Sequence, residues 1–202
     1  MYQFTFLRHA ESDGNANGQI QGQSDLPLTA MGEGQASELA RRWKSEGRQY
    51  DQVIASPLQR TWRTAQIISE ALNLPLESHP GLVERGFGTI EGRLLAELMQ
   101  EDPPPNFTDP YLKPGEQGES LVEVFNRAGQ VLQGLLSRPQ GRYLVVSHGA
   151  FLNMLLYAVI GLSPHNSPRS LRFSFSNTGY IDLVYLPDIQ QWRILQFTNL
   201  AE

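Results

Sequence analysis

The chain has 202 residues, with 40% hydrophobic and 18% charged residues, 16 Lys and Arg against 21 Asp and Glu, and a net charge of −5. A chain this long can bury roughly 70% of its unfolded surface in one domain, here taken as 1–202; its composition excludes a disordered or membrane-embedded class, and its negative charge argues against nucleic acid or anionic lipid as a partner. The absence of cysteine excludes disulfide frameworks, thiolate metal sites and a thiol nucleophile.

The first predicted strand is Phe4 to Leu7, an apolar run that ends abruptly at Arg8 and His9. No basic region, apolar core and cleavage site of a secretory signal precedes it, so a cytoplasmic location is expected. The next element is a helix in "LTAMGEGQASELARRWKSEG", with Thr29 as N-cap and Gly47 as stop. A second strand, Gln52 to Ala55, leads into a helix in "SPLQRTWRTAQIISEALNLP", where Ser56 and Pro57 favour initiation. The proline- and glycine-rich stretch 101–118 reads as a loop packed over the body.

Beyond that loop, "ESLVEVFNRAGQVLQGLLSR" carries a helical apolar stripe behind a capping box of Ser120 and Glu123. A third strand, Tyr143 to Val146, ends at Ser147, His148 and Gly149 and feeds a helix from Gly149 to Ile160. The apolar run 150–162 is too short to cross a bilayer and contains Asn153, so it reads as a buried helix. Finally, "YIDLVYL" and "WRILQFT" flank "PDIQQ" as a hairpin. Its edge could pair with a second copy, so a homodimer is one possible state. Strands alternating with helices predict a three-layer α/β/α sandwich around a mostly parallel sheet.

In such sheets ligands bind beyond the carboxyl ends of the strands. Arg8 and His9, the segment Ser56 to Arg60, and Ser147 to Gly149 all fall at such ends, so two arginines and two imidazoles converge on one rim. That is a site for a small dianion, with phosphate the leading ligand, since each charge-assisted hydrogen bond contributes roughly 1.5–3 kcal/mol. With no cysteine, no Asp-x-Asp pair, no phosphate loop and no HExxH motif, the nucleophile left is a histidine.

The motifs "LRHAES" with Asn15, "QGQSDLPLT", "SPLQRTWRTA", "LVERGFGTIEG", "GES" and "VVSHGAFLN", in that order, resemble those of the histidine phosphatase superfamily, which includes the cofactor-dependent phosphoglycerate mutases. The resemblance spans about the first three-quarters of the chain. Ala10 stands where many members have glycine, although others carry alanine. The resemblance implies a phosphoglycerate mutase-like fold in which His9 becomes phosphohistidine while a backbone carbonyl holds its other ring nitrogen. It implies that Arg8, Arg60 and His148 neutralise the phosphoryl oxygens, that Asn15 is a further donor and that Glu84 is the general acid and base. Gln21, Gly22, Ser56 and Gly149 are expected to join Asn15 around the substrate. Neither a metal nor a cofactor is expected, and the partner is a small phosphorylated metabolite.

Plainer readings stand beside these. Arg8 and His9 could be a surface pair, His148 a satisfied core histidine, Arg60 a helix-face charge and Ser56 chiefly a helix cap. Glu91 is the rival of Glu84. His79 and His165 read as solvated loop residues, Arg63 and Arg85 as surface charges, and Trp43 and Trp62 as packing. Phosphoglycerate mutases follow the catalytic acid with tyrosine, glycine and lysine; "ERGFGTIEGRLLAEL" has no tyrosine or lysine, and the longer insertion and tail are absent. A phosphatase is therefore expected, with a mutase as the alternative and a non-catalytic phosphoryl-binding module as a third reading.

Overall fold

The computed structural model describes residues 1–164 and 171–199. Its elements, in chain order, are β1 (Tyr2–Arg8), α1 (Asp13–Ala16), α2 (Ala30–Ser45), β2 (Gln52–Ala55), α3 (Gln59–Leu72), β3 (Leu76–Ser78), α4 (Leu95–Leu98), α5 (Leu121–Leu136), β4 (Arg142–Ser147), α6 (Gly149–Ile160), β5 (Tyr180–Leu186) and β6 (Gln191–Thr198). The six strands form one sheet in the order β3-β2-β4-β1-β5-β6. β1, β4, β2 and β3 pair in parallel, while β5 runs antiparallel to β1 and β6 antiparallel to β5. The sheet is thus mostly parallel, as the alternation of strands and helices predicts.

Both faces of the central strands are covered, because alternate residues of a strand point to opposite sides. Phe4, Phe6 and Val145 enter one core with residues of α5 and α6. Leu7, Val53, Leu144 and Val146 enter a second core with Leu39, Trp43 and Ile68 of α2 and α3. This two-sided burial explains why β1, β2 and β4 read as continuous apolar runs. Each fully buried Phe or Leu contributes roughly 1.5–3 kcal/mol. Trp43 and Trp62 both pack in the second core, as expected.

Caps define the helix ends. Thr29 accepts from the Gly32 N–H at the start of α2, and Gly47 follows its end at φ +67. Ser120 and Glu123 form the expected capping box of α5. At α3 the expectation fails: the N-cap is Leu58, without a side-chain bond, and the helix starts at Gln59. Ser56 lies outside the helix, its hydroxyl 2.9 Å from the His148 Nε2 and accepting from the Leu58 N–H at 3.4 Å. No helix among the described residues is long and apolar enough to cross a membrane.

Candidate active site

The register of the parallel pair β1 and β4 builds the centre. Arg8 lies opposite Ser147, and the His9 N–H donates to the Ser147 carbonyl at 3.0 Å, so the residue after each strand is a histidine beside a histidine. The two rings meet edge to face with centroids 5.2 Å apart. His9 is 3% exposed and His148 fully buried.

The Nδ1 of His9 lies 2.7 Å from the Ala10 carbonyl. A carbonyl oxygen can only accept, so Nδ1 carries the proton, and in the neutral ring Nε2 keeps its lone pair. Burial, then the charges of Arg8 and Arg60, hold His9 well below the ordinary histidine range. His148 is lowered likewise, by burial first and then by Arg60, His9, Arg8 and Arg127. Both rings are therefore neutral at neutral pH. The Ser56 hydroxyl lies 2.9 Å and the Thr61 hydroxyl 3.1 Å from the His148 Nε2, fixing that ring.

Arg60, only 1% exposed, donates through Nη1 to the Ser24 carbonyl and through Nη2 to the Gly22 carbonyl, both at 2.7 Å. It forms no ion pair among the described residues, and its Nε is buried without a hydrogen-bond partner. Burial is the main cause that lowers its guanidinium from the usual value. Arginine keeps its charge under such a shift, so a cation is held by neutral carbonyls in a dry rim. Arg8 adds a second, donating from Nη1 to the Phe175 carbonyl at 2.6 Å. A small anion is the natural complement to such a pair.

Glu84 stands at the N-terminus of α6. Its Oε1 accepts from the Phe151 N–H at 2.9 Å and from the Arg85 N–H at 2.8 Å, and its Oε2 from the Ala150 N–H at 3.1 Å. These donors and the helix dipole orient the carboxylate. Arg127 fastens its segment from behind, donating to the carbonyls of Gly81, Val83 and Glu84 while pairing with Glu119 at 2.7 Å.

The rest of the expected set is connected to this centre by different means. Asn15 Oδ1 accepts from the Ser12 hydroxyl at 2.8 Å, within the capping box of α1. The Gln21 Oε1 lies 2.7 Å from the same hydroxyl, competing with Asn15 for its one proton. Gly22, at φ +51, presents its carbonyl to Arg60, and a Cβ there would fall 2.1 Å from the Glu91 Oε1. Gly149 opens α6 beside Arg8. Ser56, Gln21 and Gly22 thus act on site residues through bonds within the protein. Glu91 has a different surrounding from Glu84: it accepts from the N–H groups of Gln23 and Phe87 and from the Ser24 hydroxyl. It ties down the loop whose carbonyls hold Arg60.

Other expectations need correction. Arg85 is 2% exposed and donates to the carbonyls of Glu119, Phe107 and Leu112, because the loop around 101–118 folds over it. Desolvation pushes its guanidinium down to about 10. His79 is half-buried and accepts from the Gly81 N–H as a cap. Arg63, with its side chain 42% exposed, pairs with Glu33 at the surface, as expected; His165 lies outside the described residues. Asn177 also belongs to the site. Its Nδ2 donates to the His9 carbonyl and to Asn15 Oδ1, each at 3.2 Å, so it ties the two together. The turn-forming run Ser-Asn-Thr-Gly before β5 was the only available signal. Thr64, which accepts from the Ala10 N–H at 3.1 Å, was hidden as an ordinary helical residue. Among the described residues no group of three or more His, Asp or Glu is placed to hold a metal ion.

The profile of the histidine phosphatase superfamily (branch 1) matches residues 4–199. The chain belongs to the histidine phosphatase superfamily. A probable phosphoglycerate mutase GpmB of Yersinia enterocolitica is 39% identical over 188 residues, covering 90% of this chain and 85% of that protein. A phosphoserine phosphatase of Entamoeba histolytica, solved with 3-phosphoglyceric acid, superposes with a TM-score of 0.80 at 26% identity, covering 99% of this chain and 98% of that one. A mycobacterial glucosyl-3-phosphoglycerate phosphatase, solved with VO3, gives 0.84 at 25% identity, with 100% of both chains covered. The family and these fold neighbours support an enzyme of the phosphoric monoester hydrolase class.

Proposed function

We propose that the protein hydrolyses a small phosphomonoester through a phosphohistidine on His9. The observation that carries this reading is the His9 Nδ1 bond to Ala10, which leaves Nε2 unprotonated in the field of the half-buried Arg8 and the buried Arg60. Arg8, Arg60 and His148, with Asn15, hold the equatorial phosphoryl oxygens and stabilise the charge that spreads over them in the transition state. The Nε2–P bond forms as the P–O bond to the alcohol breaks, and Glu84 gives its proton to the departing oxygen. In the second half Glu84 takes a proton from water, the water oxygen bonds to phosphorus, and the P–N bond breaks to release inorganic phosphate. No metal and no cofactor enters either half.

The relatives named as mutases support a second reading, transfer to a hydroxyl of a retained intermediate after priming by 2,3-bisphosphoglycerate. The segment after Glu84, which lacks the tyrosine and lysine that grip phosphoglycerate in mutases, favours water. Turnover of an aryl phosphate tests both. Wild type should far exceed His9→Ala; equal rates would end the enzymatic reading in favour of a phosphoryl-binding module. Rapid interconversion of 2- and 3-phosphoglycerate with little hydrolysis would instead make it a mutase.

A further inference from the structure

Glu91 takes no part in the proposed chemistry, yet both oxygens of its carboxylate are engaged. Its Oε1 accepts from the Gln23 N–H at 3.0 Å and from the Phe87 N–H at 2.9 Å, and its Oε2 from the Ser24 hydroxyl at 3.0 Å. These donors belong to two separate segments. Residues 22–24 include both carbonyl partners of Arg60, those of Gly22 and Ser24. Phe87 lies three residues beyond Glu84. One side chain therefore joins the loop that holds a site arginine to the segment that carries the proposed acid.

The surrounding contacts run along the same line. The Gln23 Nε2 donates to the Glu84 carbonyl at 3.0 Å, so the loop also touches the backbone of the acid itself. On its other side Asp25 Oδ1 accepts from the Gln59 N–H at 2.6 Å, which fastens the loop to the start of α3, where Arg60 sits. The Glu91 carboxylate lies so close to Gly22 that a Cβ there would fall 2.1 Å from its Oε1. Backbone bonds hold only the base of the loop: the Ile20 N–H donates to the Arg93 carbonyl and the Gly92 N–H to the Ile20 carbonyl, two residues short of Gly22.

We propose that Glu91 is a positioning residue: by gripping the loop whose carbonyls hold Arg60 and the segment that carries Glu84, it keeps the phosphoryl-binding arginine and the general acid at one spacing. This rests on the phosphatase reading. Arg60 gives one N–H to each carbonyl, and its buried Nε has no hydrogen-bond partner, so donors remain for an anion and move whenever the loop moves. Burial is the main cause that lowers the Arg60 guanidinium, and Glu84, Asp25 and Glu91 oppose it in that order of strength. Glu91 is the weakest of the three, so its hydrogen bonds rather than its charge carry the role.

Calorimetric binding of inorganic phosphate and turnover of an aryl phosphate test this, with folding of each variant checked by circular dichroism. Glu91→Ala should weaken phosphate binding and kcat/KM by about 10- to 100-fold, the cost of a misplaced binding group. Ser24→Ala, which keeps the carbonyl on Arg60 and loses only the link to Glu91, should weaken both by about two- to tenfold. Glu91→Gln should recover most of what Glu91→Ala loses, because an amide oxygen can take both backbone bonds while its NH2 donates to the Ser24 hydroxyl. In an Arg60→Ala background, Glu91→Ala should add little, since the two act in series. Unchanged phosphate affinity in Glu91→Ala and Ser24→Ala, or full additivity with Arg60→Ala, overturns the proposal, as does a Glu91→Gln as slow as Glu84→Gln, which would make Glu91 the acid. If wild type hydrolyses no ester faster than His9→Ala, the phosphatase reading fails, and the phosphate affinities alone decide the role of Glu91.

Discussion

His9 and His148 lie edge to face, 5.2 Å between ring centroids, because Arg8 and Ser147 are partners in the parallel pairing of β1 and β4. Neither imidazole depends on a loop for its position. Each is the first residue beyond a strand buried on both faces, and the hydrogen bonds to Ala10, Ser56 and Thr61 fix the ring planes. The rigidity of the sheet is thereby passed to the groups that meet the phosphoryl oxygens in the proposed reaction.

The pKa shifts of the pair make stability depend on pH. In the unfolded chain a histidine takes a proton near pH 6.5; in the fold His9 and His148 take theirs only well below it. Between these points the unfolded state binds more protons, so stability rises with pH. Stability should thus be complete above about pH 6.5 and decline as pH falls below it, by up to about 1.4 kcal/mol per unit for each histidine. The difference between His148→Gln and wild type in denaturant melts at pH 7.5 and 5.5 isolates one of the two, and the variant should lose less stability at the lower pH.

Glu84 should matter most where the leaving group is poor. Glu84→Gln is expected to lower kcat/KM for an alkyl phosphate by roughly 10²–10⁴-fold, the range for a positioned general acid. For a nitrophenyl phosphate, whose leaving oxygen departs without a proton, the first turnover should survive while steady turnover collapses. Burst kinetics with both esters check this. A uniform loss across leaving groups would assign Glu84 to binding alone.

Gly22 is required by its backbone and its neighbour together. In Gly22→Ala the new methyl meets the Glu91 carboxylate at 2.1 Å in a left-handed conformation. The loop must shift, and Arg60 loses a carbonyl partner. A destabilisation above about 2 kcal/mol is expected, from αL strain of roughly 1 kcal/mol plus the clash. Gly47→Ala, at φ +67 with open space around it, isolates the strain and should cost only about 1 kcal/mol. Thermal melts of the two variants make the comparison.

Asn177→Ala removes two hydrogen bonds, to the His9 carbonyl and to Asn15. About 1–3 kcal/mol of stability should be lost, at roughly 0.5–1.5 kcal/mol per bond. If Asn177 positions Asn15 against the phosphoryl group, KM for an aryl phosphate rises more than kcat falls. Asn177→Asp, which keeps the size but cannot donate, should behave like the alanine variant.

What the chain reveals by itself follows the physics of each element. β1, β2 and β4 are legible because two-sided burial demands uninterrupted apolar residues, and α5 because its capping box and stripe agree. β3 is three residues long and carries no run to notice. Arg85 misleads because arginine is mostly exposed; only the fold shows the backbone carbonyls of the loop around 101–118 converging on its guanidinium. Ser56 suggests a cap by type and neighbour, and only the approach of His148 across the sheet reveals its other partner. Residues at strand ends are readable because the topology rule names them. Asn177, Thr61 and Thr64 reach the same centre from a turn and a helix face, where sequence pattern offers no such rule.

The central claim is that His9 itself carries the phosphoryl group. Rapid acid-free quenching of Glu84→Gln after mixing with an aryl phosphate, followed by peptide mapping, addresses it most directly. The account predicts one phosphoryl group per chain, on His9, stable in base and lost in acid, and absent from His9→Ala. A burst of alcohol with no protein-bound phosphoryl group, or one mapped to another residue, would contradict it.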